Sequence, residues 1–223
     1  MNAKLLTQAI GKFVGGLAVM GLLLFLPAGT LAWRQGWLLM GILFIPMFIA
    51  GLVMMKKSPE LLRKRLNAKE DQQEQKRVIA LSALMFAAAF ILAGLNFRFG
   101  WIVLPMGVSY AAAVLFLIAY ALYAEVLREN VWLSRTVEVQ QDQRVIDTGL
   151  YGVVRHPMYM STLLLFLMMP LVLGSLLSFF ILLLYIPLIA LRIRNEEQVL
   201  ETGLAGYAEY KKRVRYKVIP FVR

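Results

Sequence analysis

Five apolar runs constrain this chain more than any other feature in it: residues 13–32, 37–55, 78–95, 101–124 and an almost unbroken stretch from 158 to 191. A helix needs about 20 apolar residues to cross a hydrocarbon core of roughly 30 Å. Within such a core no water pairs with the backbone, so a spanning segment must satisfy its own hydrogen bonds. None of the runs alternates in the manner of a strand. Hydrophobic residues make up 60% of the 223 positions, against about 45–50% in soluble domains. The reading is all-α: a polytopic transmembrane helical bundle.

The last run is too long for one span and short for two. Gly174-Ser175 is its natural turn, with Pro170 weakening the helix just before it. An arm from 158 to 173 would rise about 24 Å at 1.5 Å per residue. The expected architecture is therefore four spans within 1–127, then a part at 128–223 holding a short helical hairpin and a polar tail. The first run is long, lacks a small-x-small cleavage site and is soon followed by another, so it is read as retained.

Charge orients the bundle. Of the 24 Lys and Arg, only Arg34 and Arg98 fall in the tight links "AWRQGW" and "NFRFG"; the rest fall on the opposite side, with all 13 acidic residues. By the positive-inside rule that crowded side, with both termini, is cytoplasmic. The net charge of +11 then serves orientation and attraction to anionic membrane lipids. No basic stretch is interleaved with aromatics for base stacking, so nucleic acid is not an expected partner. The absence of cysteine excludes disulfides, thiolate metal sites and a cysteine nucleophile, and no metal site is expected.

Every long polar segment lies on the cytoplasmic side, and none reaches the roughly 50 residues of an independent domain. Nor is there a P-loop or a glycine fingerprint after a strand. Any activity must come from helix ends and the segments 125–157 and 192–223. Two clusters stand there. In "QRVIDTGLYGVVRHPMY" (143–159), Pro157 suits the first turn of a helix, which holds His156, the only histidine, at the mouth of that helix. The free N–H groups at such an end favour an anion, and Arg155 adds a full charge suited to a carboxylate. The same residues also fit a plainer role, Arg155 and His156 meeting lipid headgroups and Tyr151 and Tyr159 standing in the interfacial aromatic belt.

The second cluster is "LRIRNEEQVLE" (191–201). Arg192 and Glu196 share a helix face, whereas Glu196 and Glu197, being adjacent, point about 100° apart. That pattern also fits a solvated helix end with an internal ion pair. A hairpin brings its two ends together, so Arg155 and His156 should face Arg192 and Glu196 across one mouth.

At these residues the sequence resembles the isoprenylcysteine carboxyl methyltransferase family of integral-membrane, S-adenosylmethionine-dependent enzymes. "GLYGVVRHPMY", the apolar hairpin, "RIRNEE", "YAEYKKRV" and "IPF" run in family order over about 136–223. The resemblance implies that Tyr151, Arg155, His156, Pro157, Met158 and Tyr159 line a cofactor site. It implies the same for Gln143, Arg144, Val145 and Ile146, although Gln143 stands where the family often has histidine. Glu196 matches the carboxylate that holds S-adenosylmethionine. The acidic doublet lies closer to Tyr207 than in the family, which leaves Glu197 as the alternative.

Arg192 matches a position associated with the substrate carboxylate, and His156 is the side-chain type suited to taking a proton near neutral pH. The implied activity is methyl transfer to a lipophilic small molecule, lipid or lipidated substrate, most simply at a carboxylate. Two other activities share parts of the pattern: N-methylation of phospholipid headgroups, and reduction of sterol or isoprenoid double bonds with NADPH. Transport is disfavoured, because no charged residue falls near mid-membrane.

Overall fold

A computed structural model of the chain describes residues 3–66, 73–133 and 137–222. Lys69, Arg135 and Arg223, counted in the charge asymmetry, lie outside them. Among the described residues the regular structure is helical: α1 (Ala3–Ala28), α2 (Arg34–Lys57), α3 (Pro59–Leu66), α4 (Gln73–Phe99) and α5 (Met106–Glu129) come first. A 3-10 turn at Gly149–Gly152 precedes α6 (Pro157–Val172), α7 (Leu176–Leu182), α8 (Tyr185–Gly203) and α9 (Tyr207–Arg213).

Among the described residues, five segments are long and apolar enough to cross a membrane: Lys4–Ala28, Arg34–Lys57, Gln75–Phe99, Met106–Glu129 and the α7–α8 arm, Leu176–Gly203. Their outer faces carry bare hydrocarbon, with Leu26 74% and Leu84 68% exposed. An apolar exterior of this extent is stable in lipid rather than in water. The chain is a multi-pass membrane protein.

Helix ends follow local chemistry. Gly29 at φ +69° and Gly100 at φ +65° stop α1 and α4, their N–H groups donating to Phe25 and Asn96 carbonyls. Pro105 stands at the N-cap of α5, so the expected run from 101 becomes a link followed by a helix from Met106. In that link Ile102 exchanges two hydrogen bonds with the buried Asn96 amide, and Val103 forms an isolated bridge to Ser175. The chain reverses at Gly174, φ +73°, between α6 and α7. The returning arm is broken at Leu183–Leu184, which one long helix would not show. Pro187 explains it, since its ring has no N–H and clashes with the carbonyl four residues earlier.

Within the linker at 56–77, residues 59–66 form a helix despite their charge. Leu61 and Leu62 of α3 are buried, Lys64 stands over the Trp132 ring at 5.3 Å, and Arg65 meets Tyr123 of α5. These contacts tie α3 to the end of α5 and the loop that follows it. Large buried side chains such as Leu24, Leu39, Phe116 and Leu182 fill the centre.

The α4 and α1 backbones approach each other closely at Gly94. A Cβ on Gly94 would lie 2.7 Å from the Leu24 carbonyl oxygen and 3.0 Å from the Ala28 nitrogen, so backbone would have to give way. Gly94→Ala should cost about 1–3 kcal/mol of stability, read as a lower thermal midpoint in detergent. An unchanged midpoint would mean that the two helices do not pack this closely.

Candidate functional site

The α6 helix starts at Pro157, as its missing N–H favours, with His156 in the N-cap position. The backbone before it is clamped by the tail: Arg155 N–H donates to the Tyr216 carbonyl (2.9 Å) and His156 N–H to the Lys217 carbonyl (2.8 Å). The preceding turn is held from α5. Gly149 has φ +50°, and a Cβ there would fall on the Glu129 carboxylate, 1.4 Å from Oε1. That carboxylate accepts from Leu150 N–H. The Asn130 amide donates to the Tyr151 hydroxyl (2.9 Å), while Tyr210 of α9 donates to the Tyr151 carbonyl (2.8 Å).

The ends of α6 and α8 meet through two polar knots. In the first, Glu197 is buried among cations: its Oε1 accepts from Arg155 Nε at 2.8 Å and lies 3.1 Å from His156 Nε2. Its Oε2 lies 3.4 Å from Lys211 Nζ. Arg155 also donates to the Val214 carbonyl, so its charge is matched inside the protein. Lys211 has its ammonium pKa raised, chiefly by its hydrogen bond to Glu201.

In the second knot the Tyr159 hydroxyl accepts from Arg192 Nε (3.0 Å) and donates to Glu196 Oε2. Arg192 also donates to Gln75 Oε1 at 3.0 Å. The hydroxyl of Tyr159 therefore stands between the two side chains for which an intrahelical ion pair was the plain expectation.

Beside these knots opens a cavity of about 850 Å³, part of it open to solvent. Gln143, Arg144, Val145, Ile146, Tyr151, Arg155, His156, Pro157, Met158, Tyr159, Arg192 and Glu196 all line it. Glu197 is not in the lining; it supports the wall from behind. The roughly 100° between neighbours on a helix sends one carboxylate to the cavity and the other to the cations. Gln143 has part of its polar capacity taken, since its side-chain oxygen accepts from Gln140 N–H.

Several lining residues were not among the expected site residues. Asn130, Trp132, Leu133 and Glu138 come from the end of α5 and the loop after it, and Leu204, Tyr207 and Tyr210 from the tail. Gln75, only 1% exposed, reaches Arg192 from α4, far earlier in the chain. Of these, only the Tyr207 and Tyr210 pair had a legible cue, its i, i+3 spacing placing both rings on one face.

Burial raises the hydroxyl pKa of Tyr151, Tyr207 and Tyr210 well above the usual tyrosine range, with the Glu197 and Glu196 carboxylates adding to the shift of Tyr207. All three are neutral O–H groups at physiological pH. Taken together, the cavity offers a carboxylate, a guanidinium, an imidazole, neutral hydroxyls and apolar walls. It is equipped to hold a molecule with both charged and apolar parts.

Two comparisons with known proteins bear on this site. The sequence profile of the phospholipid methyltransferase family matches residues 104–205, from the start of α5 to just beyond α8. It belongs to the same superfamily of integral-membrane methyltransferases as the family that the motifs resemble. The match begins earlier than the resemblance and ends before the "YAEYKKRV" tail. The Delta(14)-sterol reductase TM7SF2 of Mus musculus is 34% identical over 90 residues. That alignment covers 39% of this chain and 22% of the reductase, so the chain corresponds to about a fifth of that relative.

Proposed function

We propose that this protein is an S-adenosylmethionine-dependent methyltransferase that acts on a lipophilic acceptor carrying an anionic group, a carboxylate or a phosphate. The observation that carries the reading is the convergence of His156, Tyr159, Arg192 and Glu196 on one cavity, within the stretch matched by the methyltransferase profile. The charged end is taken to face the cytoplasm. Residues 1–127 serve as membrane spans and 128–223 as the catalytic part, with Gln75 as a contribution across that boundary.

The residues present fit the proposed cofactor. Glu196 suits an ammonium or sugar hydroxyls, and Val145, Ile146, Leu200 and Leu204 offer apolar walls to a purine. The Tyr207 hydroxyl is buried without a partner among the described residues, as a group waiting for a ligand would be. When bound, S-adenosylmethionine supplies an electrophilic methyl group on a sulfonium, and in-line attack leaves a neutral thioether.

The protein's own contribution is mostly placement. A carboxylate acceptor is already ionised at neutral pH and requires no base. Orientation then supplies about 7–11 kcal/mol of the barrier reduction, helped by apolar walls that exclude water. Arg192, steadied by Tyr159 and Gln75, orients the acceptor's anion. An amine acceptor must instead lose a proton, and His156 is the imidazole at the cavity.

A second reading, a nicotinamide-dependent reductase of isoprenoid or sterol double bonds, draws support from the 90-residue match to a sterol reductase. Thermal unfolding of the detergent-purified protein separates the two. S-adenosylhomocysteine at 100 times its dissociation constant should add about 2.7 kcal/mol of stability, and NADPH should add none. Stabilisation by NADPH alone would reject the methyltransferase. Membranes given radiolabelled S-adenosylmethionine should then carry label in an extractable lipid or lipidated fraction, and release by mild alkali would mark an ester.

A further inference from the structure

Tyr207 opens α9, just after Gly206 turns the chain with φ +83°. Its ring is 4% exposed and lines the cavity. Three other tyrosines around the cavity have their hydroxyls engaged: Tyr151 with Asn130, Tyr159 with Arg192 and Glu196, Tyr210 with the Tyr151 carbonyl. The Tyr207 hydroxyl is buried and, among the described residues, has no hydrogen-bond partner. Buried polar groups are almost always satisfied, and leaving one unpaired is unfavourable. A fold that keeps such a group beside a cavity has a use for it there.

We propose that the Tyr207 hydroxyl is a ligand contact, donating its proton to a neutral oxygen or nitrogen of the molecule bound in the cavity. The acceptor is neutral because the Glu196 and Glu197 carboxylates both act on this hydroxyl and would repel a third anion beside them. A sugar hydroxyl or a ring nitrogen of a nucleoside has this chemistry; the carboxylate end of the same ligand does not. The inference rests on the proposed function for the ligand's identity, and on the structure alone for the unpaired donor.

The test is Tyr207→Phe in the full chain in detergent, with unfolding measured without ligand and S-adenosylhomocysteine affinity measured by calorimetry. Without ligand the variant should unfold at the same temperature or higher, because an unpaired hydroxyl is removed. Its dissociation constant should rise about tenfold, the size of one hydrogen bond. Unchanged affinity in a variant whose parent binds would overturn the contact. A lower midpoint without ligand would overturn it too, since the hydroxyl would then have a partner within the protein. If the parent binds NADPH and not S-adenosylhomocysteine, the methyltransferase reading falls; a tenfold loss of NADPH affinity in the variant would still uphold Tyr207 as a contact, and none would overturn it. A parent that binds neither overturns both.

Discussion

Glu197→Leu should be among the most destabilising single substitutions in the molecule, at about 3–5 kcal/mol, because it strands a buried charge. Arg155 is 6% exposed and Glu197 5% exposed, so neither is solvated enough to stand alone. Glu197 also faces His156 and Lys211, and without it the Arg155 and Lys211 charges lose their shared counter-ion. The pair clamps α6 to α8, and Arg155 further ties α6 to the tail through the Val214 carbonyl. Unfolding in detergent, by heat or denaturant, measures the loss. Added salt should change the parent's stability little, since buried pairs are poorly screened. The double replacement Arg155→Met with Glu197→Leu should recover most of the loss, because it is the unmatched charge that costs. A Glu197→Leu protein within about 1 kcal/mol of the parent would show that the carboxylate is not enclosed as described.

Arg192→Lys should lower kcat/KM for the acceptor about 100-fold while S-adenosylhomocysteine affinity stays within about threefold. The guanidinium bonds to the Tyr159 hydroxyl with Nε and to Gln75 with one terminal nitrogen, which presets its plane. A lysine keeps the charge but not the fork, and an ammonium on a flexible stem does not reproduce that geometry. A small misplacement near reacting atoms costs on the order of 100-fold. The separation of acceptor kinetics from cofactor affinity is the informative part. Equal losses in both would make Arg192 a general support of the cavity. No loss in either would remove it from the site.

Much of the architecture was legible in the residues. The apolar runs marked the spans, Gly174 the reversal, and Pro157 the start of α6, because each reflects a local rule about burial, backbone freedom or a missing N–H. Helix ends were less legible. Pro105 moved the start of α5 and Pro187 split the returning arm, effects of a single ring acting on the backbone within a continuous apolar pattern. The helix at Pro59–Leu66 was hidden by its charge, its two buried leucines being too few to set a period.

The sequence by itself determined that this chain lives in a membrane, that its charged groups collect at one end, and that Arg155, His156, Arg192 and Glu196 belong to helix mouths brought near each other by a hairpin. Hydrophobic length and the placement of charge are sums over neighbours along the chain, so they survive without coordinates. Only the tertiary structure decided which glutamate faces the cavity, that Arg155 is spoken for by Glu197, and that Gln75 and Tyr207 attend the site from its two distant flanks. Those facts depend on the rotation of α8 about its axis and on which side chains meet across helices. Adjacent residues differing by about 100° in direction take opposite roles once that rotation is set.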